Sequence, residues 1–128
     1  SELAISVEDT AEIMLDFEAG AIGSVHVDYV QRTLGRTCKI IGDAGTIVWN
    51  LPEQELRLFE LSSPEWQVFH EHGFESNTMY VEEMRHFLDC IEGRAKPVVN
   101  LRQGVESLRV ALAARESADP GRVVEISR

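Results

Sequence analysis

The sequence predicts an α+β fold: a predominantly antiparallel β-sheet, then two helices packed on one of its faces, the other face left open. Three observations predict it. Apolar and polar residues alternate with a period of two from Ala11 to Tyr29 and in shorter runs from Thr37 to His70, the pattern of half-buried strands. Beyond Asn77 the apolar residues recur at helical spacing instead. Strands come first and helices afterwards, unlike the strand–helix alternation of a doubly wound parallel sheet, so no Rossmann domain is expected here.

A chain of 128 residues suits one domain with a real core, and residues 1–128 are read as one. The net charge of −10 argues against nucleic acid or an anionic membrane as a partner, because phosphates are bound by clustered Lys and Arg. No apolar run approaches spanning length and no signal-peptide pattern opens the chain, which points to the cytoplasm. Cys38 and Cys90 fall in different predicted elements. They read as two buried thiols, with a disulfide left open by sequence. The chain starts at Ser1 and enters a strand within a few residues, which leads us to expect a piece of something longer.

The first element is a hairpin. Ala11, Ile13, Leu15 and Phe17 alternate with Glu12, Met14, Asp16 and Glu18. After a Glu18-Ala19-Gly20 loop, Ala21, Gly23, Val25, Val27 and Tyr29 alternate with Ile22, Ser24, His26 and Asp28. Gly20 suits the left-handed position of a three-residue loop. That loop sets the register: Phe17 faces Ala21, Leu15 faces Gly23, Ile13 faces Val25 and Ala11 faces Val27. A slip of one residue would mix the faces. The second face pairs Asp16 with Ile22, Met14 with Ser24 and Glu12 with His26. One face is core and the other is amphiphilic.

A polar, basic connector, Gln31 to Arg36, follows in an otherwise acidic chain. Thr37 to Ile41 reads as a strand, Gly42-Asp43-Ala44-Gly45 as a turn, and Thr46 to Trp49 as a β-branched and aromatic strand. Asn50-Leu51-Pro52 breaks the run, Glu55 to Leu61 alternates again, Ser62-Ser63-Pro64 breaks it once more, and Trp66 to His70 is a short strand. The whole is expected to be an antiparallel meander of about six strands.

From Asn77, the residues Tyr80, Met84, Phe87, Leu88 and Ile91 form one helical stripe, with Asn77 or Thr78 placed to cap the start and Gly93 to end it. Asn100 is an N-cap for a second helix, about Leu101 to Ala118, expected to bury Leu101, Val105, Leu108, Ala111 and Leu112. Asp119-Pro120-Gly121 ends it, and Arg122 to Ile126 reads as a last short strand.

The final segment, MYVEEMRHFLDCIEGRAKPVVNLRQGVESLRVALAARESADPGRVVEI, resembles the end of the Gfo/Idh/MocA (glucose–fructose oxidoreductase and inositol dehydrogenase) family. Glu83, Phe87, Ile91, Gly93 and Pro97 match its first helix and loop. Gly104, Leu108, Ala111 to Ala114, Ser117, Ala118, Gly121, Arg122, Val124 and Glu125 match the second helix and the tail. VEDTAEIMLDFEAGAIGSV and IIGDAGTI resemble its hairpin and its strand–turn–strand. The resemblance implies a C-terminal α/β domain that shapes a substrate pocket and forms a homodimer, or dimer of dimers, through its open sheet face. It also implies an N-terminal NAD- or NADP-binding domain that this chain lacks.

The motifs agree with that division. A dinucleotide site needs G-x-G-x-x-G between a strand and a helix, and Gly42 to Gly45 lies between two strands. The family's catalytic lysine belongs to an E-K-P motif in the missing half, so Ala95-Lys96-Pro97 is read as an exposed linker. The family's Asp and His four residues apart have no counterpart, because no D-x-x-x-H occurs. No catalytic, cofactor-binding or metal-binding residue is therefore assigned, and the chain alone is expected to be inactive. His70-Glu71-His72, with Glu75 nearby, offers imidazoles and carboxylates to a metal but no compelling third ligand, so solvated histidines are the better reading. His86 reads as a packing residue.

Tyr29, Arg32 and Arg36 are candidates to line a sugar-like substrate's pocket, since such groups bind hydroxyls or a nucleotide-sugar's phosphates; solvated rim residues are the competing reading. Glu12, Met14, Asp16, Ile22, Ser24 and His26 form the candidate dimer face, too polar for a core yet apolar enough for a wet interface. Two functional readings follow. One is the C-terminal part of an NAD(P)-dependent oxidoreductase acting on a sugar, polyol or nucleotide-sugar hydroxyl. The other is a stand-alone α+β dimeric binding or scaffold module.

Overall fold

The structure, a computed structural model, describes residues 3–119 and 121–126. In chain order it contains β1 (Thr10–Asp16), β2 (Ile22–Asp28), β3 (Thr37–Gly42), β4 (Gly45–Asn50), β5 (Glu55–Glu60), β6 (Ser63–His70), α1 (Ser76–Ile91) and α2 (Leu101–Ala118). Antiparallel sheets followed by helices make it an α+β chain, as the alternation predicts. The backbone divides into two compact units, Ser1–Glu75 with the strands and Ser76–Arg128 with the helices. Among the described residues, no helix is long and apolar enough to cross a membrane.

The β1–β2 hairpin has the register that its turn dictates: Leu15 opposite Gly23, Ile13 opposite Val25, Ala11 opposite Val27 and Glu12 opposite His26. Gly20 takes φ 83°, and the Phe17 N–H donates to Ala21 O at 3.0 Å, closing the loop. Ala11, Ile13, Leu15 and Gly23 are half-buried, with the Phe17 ring packed over the space that Gly23 leaves empty.

The strands do not form one six-stranded meander. β1 and β2 make a two-stranded sheet, while β3-β4-β5-β6 make a separate four-stranded one, with no ladder between β2 and β3 among the described residues. Alternation assigns a residue to a face, but the pairing of β2 with β3 depends on backbone groups that carry no sequence signal. The larger sheet has one strongly apolar face, where the row Cys38–Trp49–Leu56–Phe69 lies beside Ile40–Ile47–Leu58. Its other face is mixed: Phe59 and Trp66 meet with ring centroids 5.5 Å apart, and the Arg57 guanidinium lies 5.4 Å from the Trp66 centroid.

Ser63 and Pro64 are not a break but the start of β6. Glu60 pairs with Ser63 and Phe59 with Trp66, so Pro64 and Glu65 are the extra residues of a bulge on an edge strand. Proline, which has no N–H, is tolerated there because no ladder bond is lost. The Gly42-Asp43-Ala44-Gly45 turn is a tight hairpin joining β3 to β4. Gly45 is required by close approach: a Cβ there would stand 2.1 Å from the backbone oxygen of Phe59.

In the helical unit, α1 begins at Ser76, which places Asn77 and Thr78 inside the helix rather than at its cap. Its end is as expected. Gly93 takes φ 74°, its N–H donates to Cys90 O and that of Arg94 to Asp89 O, the paired bonds of a Schellman motif. The Arg94 side chain also grips the Asp89 carboxylate at 2.6 Å.

Asn100 caps α2 reciprocally with Gln103, its side chain accepting from the Gln103 N–H while the Gln103 side chain accepts from Asn100 N–H. The stripe expected to be buried on α2, Leu101, Val105, Leu108, Ala111 and Leu112, is exposed in the helical unit by itself, where α1 does not cover it. Glu106, Val110, Ala113, Ala114 and Ser117 are the half-buried positions. Arg122 to Ile126 is irregular chain rather than a strand, since it finds no strand to pair with among the described residues. Gly121 turns it at φ 64°, and Ser117 Oγ donates to Arg122 O. Pro120 lies outside the described residues.

No described side chain is fully buried, and apolar groups stay open on each unit by itself: Ile40, Ile41 and Phe69 on the sheet, Met84, Phe87 and Ile91 on α1.

Candidate functional site

The most organised polar arrangement in the chain lies where β2 runs into its connector. Period-two geometry puts His26 and Asp28 on one face of β2, and the hairpin register sets Glu12 of β1 directly opposite His26. The imidazole bridges both carboxylates. Its Nδ1 lies 2.5 Å from Glu12 Oε1 and its Nε2 2.7 Å from Asp28 Oδ2. With a carboxylate at each nitrogen, the arrangement suits the doubly protonated imidazolium, which donates to both. Its pKa is raised above 6.5 by the hydrogen bond to Glu12 first and that to Asp28 second, against a smaller opposing effect of burial.

Asp28 is the pivot. Its side chain is 2% exposed, whereas that of Glu12 is 71% exposed. Asp28 Oδ1 accepts from the backbone N–H groups of Val30 at 2.9 Å and Gln31 at 2.7 Å, and Oδ2 accepts from Gln31 Nε2 at 2.7 Å. This is an aspartate turn in which the side chain takes the place of a backbone acceptor. The donors stabilise the carboxylate, the Gln31 side chain most of all, and hold its pKa down to about 2 from 3.8. The Tyr29 N–H, donating to Asp9 O at 2.9 Å, ties the same corner to the chain before β1.

The candidate residues meet this corner unequally. Glu12 and His26 belong to it directly. Met14, Asp16, Ile22 and Ser24 continue the same face along the hairpin, all exposed, with Met14 at 73% and Ile22 at 75%. Tyr29 and Arg32 lie exposed on the connector that Asp28 holds. Arg36 is placed elsewhere: its backbone oxygen accepts from Leu51 N–H, and its guanidinium lies 6.0 Å from the Trp49 centroid, on the rim of the larger sheet's apolar face. Asp28 and Gln31 were missed in the sequence, although His-x-Asp on one strand face, followed by a polar connector, is a signal for such a corner.

The remaining candidates resolve simply. The His70 and His72 rings stack at 5.8 Å, and His70 Nε2 lies 3.8 Å from Glu55, which leaves the pair partnered with one another and one acid. No group of three ligating side chains able to hold a metal occurs among the described residues. His86 Nε2 lies 3.6 Å from Cys90 Sγ one helical turn on, a local contact within α1. Both cysteines are free thiols, Cys90 half-buried and Cys38 exposed on an edge strand, so neither is the buried thiol that was expected. Lys96 is exposed in irregular chain between the helices, as read.

A pyrophosphate cradle needs glycines that open a helix, and its amides must point free at the ligand. The Gly42–Gly45 turn opens a strand, and its second glycine is packed against Phe59, so these residues do not fit a dinucleotide.

The fold and this corner together define an α+β domain of antiparallel sheets and two trailing helices, with open faces and no cofactor cradle of its own among the described residues. The family model for the oxidoreductase family C-terminal alpha/beta domain (Gfo/Idh/MocA) matches residues 2–126, and the chain belongs to that family. No curated protein and no solved structure gives a match. The resemblance read from the hairpin, the strand–turn–strand and the helices is thereby borne out.

Proposed function

We propose that this chain is the substrate-side and subunit-pairing part of a cytoplasmic NAD(P)-dependent oxidoreductase. The full protein would transfer a hydride between the nicotinamide and a hydroxyl-bearing carbon of a sugar, polyol or nucleotide-sugar. Membership of the oxidoreductase C-terminal family across residues 2–126 carries the reading. The misfit of the Gly42–Gly45 turn to a dinucleotide supports placing the cofactor and the proton-transferring groups on another domain. Tyr29 and Arg32 contribute hydroxyl- and phosphate-binding groups to the pocket wall, while Arg36 stands apart from them on the rim of the larger sheet. The exposed face of Glu12, Met14, Asp16, Ile22, Ser24 and His26 pairs two copies, its mixture of methyl and charged groups being that of a wet interface rather than a core.

Two measurements test this. NADH or NADPH titrated into the chain is expected to give no saturable fluorescence change; micromolar binding would show that the cofactor sits here after all. The gene upstream of Ser1 is expected to encode a G-x-G-x-x-G strand–helix unit, and the product carrying both parts is expected to reduce NAD or NADP with a member of a sugar and polyol panel. A start codon directly before Ser1 would overturn the enzyme reading.

A further inference from the structure

We propose that Asp28 is the positioning residue of the Tyr29–Arg32 connector, fixed independently of proton uptake, and that His26 is a latch whose proton decides only whether Glu12 is fastened to it. Where that connector walls a substrate pocket, as proposed above, Asp28 sets the direction in which Tyr29 and Arg32 are presented. The conformational claim itself needs no substrate.

The argument rests on who can be released. An imidazolium donates to both Glu12 and Asp28, but a neutral imidazole keeps one N–H and must leave one carboxylate facing a ring lone pair. Asp28 is almost without solvent access, so losing a donor there would leave a buried carboxylate oxygen undersatisfied. In a single copy of the chain Glu12 is mostly in water and rotates away at little cost. The remaining proton therefore stays on Nε2, directed at Asp28. Asp28 also keeps three donors that do not titrate in this range: the Val30 and Gln31 backbone amides and the Gln31 side chain.

The charged groups that face the ring are these two carboxylates, one from each strand of the hairpin. On releasing its proton, His26 turns the corner from one net negative charge to two and frees Glu12 on the exposed strand face. The connector does not move. A strand-face event is thus separated from the substrate-side segment by a single aspartate.

Nuclear magnetic resonance of the full chain between about pH 5 and 9 tests this, with the reference His pKa of about 6.5 inside the window. In the wild type, the His26 ring is expected to titrate above that reference and the Glu12 side-chain carbon to shift with it. The Val30 and Gln31 amide shifts should stay flat through the same step. Glu12→Gln should lower the His26 midpoint toward the reference while leaving those two amides unchanged. Asp28→Ala should raise hydrogen exchange at Val30 and Gln31 at least tenfold with the Val48 amide of β4 as an unmoved control. Gln31→Ala, which keeps the backbone bonds, should give a smaller rise and serves if Asp28→Ala does not fold. Val30 and Gln31 amides that titrate with His26, or that keep their protection in both the Asp28 and Gln31 variants, would overturn the proposal. Neither result bears on whether the protein is an oxidoreductase, and an absent activity would leave the latch standing.

Discussion

Gly42 and Gly45 close the same turn, yet alanine should have opposite consequences at the two. At Gly45 a Cβ would stand 2.1 Å from Phe59 O, 3.1 Å from Phe59 C and 3.3 Å from Glu60 Cα, all of it backbone. A side-chain neighbour can swing aside; a paired strand cannot. To restore an ordinary contact, β5 must part from β4 by more than an ångström. That breaks the Gly45–Glu60 end of the ladder and the 2.9 Å bond from Leu61 N–H to Ala44 O. Lost backbone bonds cost about 0.5–1.5 kcal/mol each and overpacking adds about 1–3 kcal/mol, so Gly45→Ala should destabilise by about 2–4 kcal/mol. The melting midpoint should fall by on the order of 10 °C. At Gly42 a Cβ meets nothing within 4 Å and φ is not in the left-handed region. Gly42→Ala should be neutral or stabilise by up to about 1 kcal/mol through the unfolded chain. Urea and thermal unfolding followed by circular dichroism compare the two. If Gly42→Ala harms the protein as much as Gly45→Ala, or if Gly45→Ala costs less than about 0.5 kcal/mol, packing against Phe59 is not why that glycine is there.

Two further outcomes follow from the corner and the caps. The raised His26 pKa contributes stability that is fully present below 6.5 and is lost as pH rises through the folded value; the lowered Asp28 pKa contributes stability present above 3.8 and lost as pH falls toward about 2. The hairpin should therefore be most stable between those two reference values, and a urea midpoint that climbs steadily from neutral to alkaline pH would contradict the His26 bridge. Asn100→Ala removes the reciprocal cap of α2 and should cost about 1 kcal/mol, seen as lost helical ellipticity on mild heating. Asn100→Asp, which keeps the acceptor, should retain most of it; an equal loss in both would assign the effect to something other than the cap.

Local chemistry was legible from the residues because it needs only near neighbours. Gly20 sets the hairpin loop, and the loop sets every pair from Phe17–Ala21 to Ala11–Val27. Asn100 with Gln103, and Gly93 after Ile91, mark helix ends by groups within five residues of one another. The Glu12–His26 pair follows from the same register. Even the division between a strand-rich first part and a helical second part is a change of period that the eye can find at about residue 77, one residue inside α1.

What the residues could not supply depends on partners distant in the chain. Pro64 reads as a stop until the bulge opposite Phe59 and Glu60 shows an edge position where its missing N–H costs nothing. Arg122 to Ile126 has strand composition but no strand beside it among the described residues, and composition alone makes no ladder. The six strands carry the same alternation whether they form one sheet or two, because a period of two records faces and not neighbours. Likewise the stripe of Leu101, Val105 and Leu108 declares an apolar face, while only the tertiary structure decides whether anything lies on it. Asp28 joins the two kinds of knowledge. Its spacing from His26 was visible in the chain, but its near-complete burial and its hold on Val30 and Gln31 exist only once β2 has turned into the connector.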